Sequence, residues 1–170
     1  MLVIPLVGAA LTLMMGKGKE KFAKYVAGIF SGIVLILATI LLFEENVAAL
    51  AENHVWIDAA NIRISYILEI DGLSKLMVFL TALLIFLVVV FESSESDRPN
   101  YYHTLVMLMQ VGLMGVYLSA DYFLFYIMWE VTLIPMYFMI SWYGGPRRHY
   151  AAIKFFIYTH VASLVMLIGI

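Results

Sequence analysis

Apolar residues run along this chain in blocks too long for water to cover, and polar residues collect between the blocks. A helix needs about 20 apolar residues to cross a bilayer. Six stretches approach that length. They are 1–15, short and with Pro5 near its start; 22–43, broken only by Lys24, whose long stem can reach back to the interface; 72–91; 101–119; 122–143; and a last one that begins near Pro146 and reaches Ile170. Asp71 before Gly72 and Ser74, and Asp121 before Tyr122, are placed as N-caps, and Lys75 stands four residues after Asp71. Proline suits the first helical position, which is where Pro146 is expected. The pattern predicts an all-α fold: a polytopic transmembrane bundle of about six helices. The stretch 44–71 is mixed. Ile62, Ile64, Tyr66 and Leu68 alternate with polar or opposite-face positions there. A solvent-facing extracytoplasmic loop is the expectation; a short hairpin or an amphipathic surface segment is the alternative.

Composition narrows the class. The chain is 64% hydrophobic and 13% charged, where an average soluble domain carries about a quarter charged residues. A net charge of −2 suggests no nucleic-acid partner, and the partner implied by composition is the lipid bilayer itself. The absence of cysteine excludes disulfides, thiolate-held iron–sulfur clusters and cysteine nucleophiles in this stretch. The first apolar block has no basic leader and no small-residue cleavage site of the signal-peptide kind. The last block stops at VMLIGI without cap, basic residue or polar tail, so a portion of a longer protein is expected.

Basic residues set the orientation. Lys17, Lys19, Lys21 and Lys24 lie between blocks one and two, Arg98 between three and four, and Arg147 and Arg148 between five and six. The opposite connections hold only Arg63. Positive loops stay inside, which places the N-terminus outside and the odd-numbered loops in the cytoplasm of a cell-membrane protein. Trp142 and Tyr143 fit an aromatic belt at the inner end of block five.

Polar groups inside the blocks are the candidates for chemistry. Glu130 follows Tyr122 by eight residues, about 12 Å into its helix and near the bilayer midplane. An ionised, unpaired acid there costs several kcal/mol, so intramembrane acids are functional by default. Three states are open to it: protonated and donating between helices, paired with a cation, or exchanging protons with a water-filled cavity. Pro135 removes one helix hydrogen bond and leaves the carbonyl of Val131 without its usual donor, beside that acid. Lys154 lies about 12 Å into block six and His160 about 21 Å, the depth of Glu130 on the antiparallel neighbour. Lys154 is either a proton relay or a snorkelling lysine; His160 is either a relay or a hydrogen-bonded core histidine. Lys154, Tyr158 and Val161 share a face, and His160 is turned about 120° from Lys154, so the two need not line one cavity. His103 and Gln110 share a face of block four, and Gln110 is expected to hydrogen-bond between helices. No zinc-type cluster, Gly-rich phosphate loop or Ser/His/Asp arrangement emerges, so no small-molecule substrate is expected on this chain.

The stretches DYFLFYIMWEVTLIPMYFMISWYGG and AAIKFFIYTHVASLVMLIGI resemble the M-type antiporter-like membrane subunit of respiratory complex I and of the related archaeal deazaflavin-dependent dehydrogenases. DGLSKLMVFLTALL resembles the start of that family's third helix, and LIPMY favours the M type over the L type. The resemblance implies about fourteen helices in the whole protein, two inverted five-helix repeats following three leading helices. Residues 1–100 then hold the leading helices and the extracytoplasmic loop at about 44–71, and residues 101–170 the first three helices of the first repeat. It implies that Glu130 is the proton-binding acid of a half-channel, paired with a lysine on a later helix, and that Lys154 matches the lysine before FFIY. His160 stands where the family pattern varies. The implied function is proton translocation by a non-redox subunit of an oxidoreductase. No cofactor is expected in this chain; flavin and iron–sulfur clusters belong to partner subunits, and the other membrane subunits are its partners. A cation/proton antiporter without a redox partner and a scaffold segment are the alternatives.

Overall fold

The computed structural model describes residues 1–15, 20–44, 52–59, 62–92 and 98–169, and of residues 20, 21, 52–59 and 62–65 the backbone alone. Lys17, Lys19 and the side chains of Lys21 and Arg63, on which the expected orientation leans, lie outside that description. Six helices appear in it: α1 Val3–Met14, α2 Glu20–Phe43, α3 Gly72–Phe91, α4 Pro99–Leu118, α5 Tyr122–Tyr143 and α6 Arg148–Gly169. Both aspartate caps form. Asp71 accepts from the Ser74 N–H at 2.6 Å, and that bond holds its carboxyl below the usual carboxylate range. Asp121 accepts from the Phe123 and Leu124 N–H groups at 2.9 and 3.0 Å. Lys75 turns away from Asp71 and donates to the Glu44 carbonyl instead.

Two expectations need correction. α6 begins at Arg148, not near Pro146: a turn closed by Arg148 N–H onto the Gly145 carbonyl (3.0 Å) uses up Pro146 and Arg147 before the helix starts. The stretch expected as a loop contains an antiparallel hairpin, β1 Glu52–Ala59 and β2 Ile62–Leu68, with an irregularity between Val55 and Ile57. Its second strand continues into the bundle. The Ala120 N–H donates to the Ile67 carbonyl and the Glu69 N–H to the Leu118 carbonyl, each at 3.0 Å, so the hairpin is stitched to the α4–α5 turn. A lone strand pair is marginal in water, and this docking supplies what the hairpin lacks. Tyr66 and Leu68 thereby join Met1, Leu2, Leu41, Ile70 and Leu118 around a cavity of about 260 Å³ at that end of the bundle.

α2 and α3 bury stripes of small or branched residues. On α2 these are Ala23, Ala27, Ser31, Val34, Ala38 and Leu41; on α3 they are Val78, Thr81, Ala82, Ile85 and Val89. Their large side chains point outward: Ile29, Ile33, Ile36 and Ile40 from one helix, Leu73, Leu76, Leu80 and Leu84 from the other. Small residues inside and bulky ones outside is the packing that lipid favours, because backbones gain contact by approaching closely. α4 sits at the centre and touches α1, α2, α3 and α5. It is buried nearly all round and carries Asn100, His103, Thr104 and Gln110 in its buried set. Four helices (α2, α3, α5, α6) are long and apolar enough to cross a membrane; α1 is shorter at 12 residues, and α4 has the length but a more polar composition. A helix wrapped by its neighbours has no need to be greasy.

A polar cluster between α5 and α6

α5 and α6 run antiparallel and zip together through three levels. At the end where α5 gives way to α6, Ser141 Oγ lies 3.0 Å from His149 Nδ1. Next, Tyr137 and Phe156 meet edge to face at 5.7 Å between ring centroids. At the deepest level, Glu130 of α5 meets His160 and Ser163 of α6. His160 Nδ1 lies 2.9 Å from Glu130 Oε2, and the Ser163 hydroxyl donates to Glu130 Oε1. Ser163 Oγ also lies 2.9 Å from the His160 carbonyl, which its position three residues on permits. The imidazole is held flat against Phe156, with centroids 5.5 Å apart and planes 6° apart. Each carboxylate oxygen therefore has its own partner, and a stacked ring fixes the direction from which one of them approaches. The Glu130 side chain is 22% exposed and that of His160 is 40% exposed, so the cluster is open along the flank of α6 and closed toward the bundle centre.

The position of Glu130 depends on how closely α4 meets α5. A Cβ at Gly112 would fall 2.5 Å from the Thr132 methyl, and one at Gly115 would fall 2.5 Å from Met128 Sδ. These glycines let the two backbones meet on either side of Glu130 in sequence. Thr132 is locked there by its own hydroxyl, which donates to the Trp129 carbonyl at 2.7 Å. Pro135 lies inside α5, buried, and the helix continues through it.

Of the three sequence candidates, the structure brings Glu130 and His160 together and leaves Lys154 apart. Lys154 is exposed, with its amino group 6.0 and 5.7 Å from the ring centroids of Tyr150 and Tyr158 on its own helix. The face it shares with Tyr158 and Val161 points outward, as the helical geometry requires once His160 points inward to α5. Measured from Arg148, Lys154 is about 9 Å into α6 and His160 about 18 Å, shallower than a helix begun at Pro146 would place them. Ser163 was not singled out from the sequence; its signal was the spacing of three from His160, which puts both on one side of a helix. Gln110 has no exposed surface and finds no hydrogen-bond partner for either amide atom among the described residues, contrary to the expected interhelical bond. No group of three or more His, Cys, Asp or Glu able to hold a metal occurs among the described residues.

A multi-pass helical membrane protein with an acid, an imidazole and a hydroxyl gathered at mid-helix is the class that this geometry defines. Residues 119–170, the stretch containing the cluster, match the family described as NADH:quinone oxidoreductase/Mrp antiporter membrane subunits. The chain is 37% identical over its whole length to the F(420)H(2) dehydrogenase subunit M of Methanosarcina mazei, covering 34% of that protein. It is 36% identical, again over its whole length, to the NADH-quinone oxidoreductase subunit M of Escherichia coli K12, covering 36% of it. Among solved structures it superposes on a chain of respiratory complex I from Thermus thermophilus with a TM-score of 0.82 and 27% identity, covering 98% of this chain and 33% of that one. A chain of the archaeal membrane-bound sulfane sulfur reductase shares the fold, at a TM-score of 0.78 and 20% identity over 99% of this chain and 35% of that one. Over its whole length the chain is similar to the M-type, antiporter-like membrane subunits of these complexes, and it spans about a third of the length of the relatives it matches.

Proposed function

We propose that this chain is the N-terminal part of a proton-translocating, non-redox membrane subunit of a complex I-like respiratory assembly, and that Glu130 is the residue that binds the proton. The observation that supports this reading is the Glu130–His160–Ser163 cluster at mid-helix. With Glu130 ionised, the His160 Nδ1–H donates to Oε2. A proton that arrives at Nε2 lets the Nδ1 hydrogen pass to Oε2; the carboxyl O–H then donates and Nδ1 accepts, so one hydrogen bond serves both states with the two heavy atoms in place. Ser163 steadies the other oxygen in either state. Electron transfer in partner subunits, which would hold the flavin and iron–sulfur clusters, shifts the charge around Glu130 and so its proton affinity. The resemblance of the surrounding residues supports a lysine on a later helix as the cation that exerts the shift. Lys154 enters as a relay only from the exposed face of α6, toward whatever packs there. The same reading puts the protein in the cell membrane with its N-terminus outside, and divides the chain near residue 100 into leading helices and first repeat.

Glu130→Gln tests it in the assembled complex reconstituted in vesicles. Proton transport, read by a pH-sensitive dye, is expected to be lost while the complex assembles normally. Normal transport in that variant would sink the proposal. The family description also covers Mrp antiporters, which supports a second reading, cation/proton exchange without a redox partner. Flavin or iron–sulfur subunits that co-purify favour the first; their absence together with sodium-driven proton exchange favours the second. Lost assembly with coupling intact in the surviving complexes would make the cluster a scaffold.

A further inference from the structure

A second pair of titratable side chains is buried where α3 gives way to α4, far along the bundle from Glu130. Glu92, the first residue beyond α3, places its Oε2 3.1 Å from His103 Nε2, with the side chains 9% and 0% exposed. The contact is within ion-pair distance but off the line that a hydrogen bond needs, and His103 Nδ1 has no hydrogen-bond partner among the described residues. The surroundings come from every helix packed there. Lys24 of α2 donates to the Glu92 main-chain carbonyl, and its charge reaches His103. Tyr102 of α4 sets its ring edge-on to His103 at 5.6 Å and to Tyr143 of α5 at 5.3 Å. Both phenols feel the Glu92 charge, and Tyr143 donates to the carbonyl of the exposed Arg98 at 2.7 Å. α1 has no charged residue to add.

The charges decide what this pair can hold. Lys24, held at the Glu92 main-chain carbonyl, already brings one positive charge to this spot, so a permanently charged imidazolium beside it would add a second in a buried place, which is costly. A neutral imidazole beside a carboxylate leaves room for one added proton, taken up by either group and titrating as a property of the pair. Nothing in the packing of α3 and α4 requires these residue types. Val89 and Ile85 on α3 and Val106 on α4 do that work one and two turns away.

We propose that Glu92 and His103 form a second proton-binding site, loaded from the Arg98 end of the bundle and independent of Glu130. On loading, a proton from water adds to the pair and no other bond changes. Infrared titration of the purified, assembled protein tests this. A carboxyl C=O band that rises and falls with pH is expected in the wild type. It should vanish in Glu92→Gln and persist in Glu130→Gln. In His103→Gln its midpoint should shift by about one pH unit or more, because the group that titrates together with the carboxyl is gone. A Glu92 carboxylate that stays ionised across the whole pH range, with no response to His103→Gln, would overturn the proposal and leave a fixed ion pair. Should either variant fail to fold, 15N NMR of histidine-labelled wild-type protein serves instead. A His103 resonance that titrates supports the site, and one that is constant with pH refutes it.

Discussion

Gly112→Ala is expected to cost far more than one methyl group suggests. The new Cβ would lie 2.5 Å from the Thr132 Cγ2 and 3.2 and 3.3 Å from the Thr132 backbone nitrogen and Cα. The backbone atoms cannot rotate out of the way. The methyl can, but only if the Thr132 side chain leaves the rotamer in which its hydroxyl bonds to the Trp129 carbonyl. Over-packing of a tight contact costs about 1–3 kcal/mol, and the lost hydrogen bond about another 1 kcal/mol. The expected loss is therefore about 2–4 kcal/mol. Gly115→Ala is the comparison: it meets only the Met128 side chain, at Sδ (2.5 Å), Cγ (2.7 Å) and Cβ (3.2 Å), of which the first two can turn aside, so about 1–2 kcal/mol is expected there. Unfolding of the purified protein in mixed micelles, titrated with a denaturing detergent, measures both. Thr132→Ser in the Gly112→Ala background removes the clashing methyl and keeps the hydroxyl, and should restore part of the loss. Equal stability of Gly112→Ala and wild type, or no recovery with Thr132→Ser, would refute the claim that close α4–α5 contact fixes the backbone beside Glu130.

Other substitutions probe separate features. Gln110→Met exchanges a buried amide without partners for an apolar side chain of similar size and should stabilise the bundle by about 1–3 kcal/mol in the same assay; a loss instead would reveal a bound water or ligand at that amide. Asp121→Ala removes the acceptor of two N–H groups at the start of α5 and should cost about 1 kcal/mol, with Asp121→Asn near wild type. Lys154→Gln gives up exposed cation–π contacts and should change stability by less than about 1 kcal/mol, so that any loss of proton transfer in that variant reports on relay and not on packing; a larger drop in stability would contradict the exposed placement of this lysine.

Helices were the most legible part of the chain, because each apolar block is bounded by a strong local signal. Asp71 and Asp121 start α3 and α5 where they were read as caps. α6 shows the limit of such signals: Pro146 satisfies the rule for a first helical position, yet a Gly-Gly-Pro turn is an equally local solution and needs its proline for itself. The alternation from Ile62 to Leu68 was visible, but nothing local says that the α4–α5 turn offers a bridging edge at Ser119. Matching depths put Glu130 and His160 at one level of antiparallel helices, but that their side chains meet depends on the rotation of α6 as well. Ser163 required knowing how far α6 rotates. Glu92 stands at the head of an acidic run just past α3, and only the tertiary fold brings it to His103.

The central position of α4 has a consequence for biogenesis. A segment carrying Asn100, His103, Thr104 and Gln110 partitions poorly into lipid by itself, since polar groups lose free energy when a single helix meets the acyl chains. α2, α3, α5 and α6 can each enter the bilayer on their own hydrophobicity. α4 leaves the ribosome after α3 and before α5, so its polar face must shelter at the insertion machinery, or against the three helices already made, until α5 closes over Gly112 and Gly115. The membrane residence of this helix thus rests on its neighbours during assembly as well as on the apolar run in its own sequence.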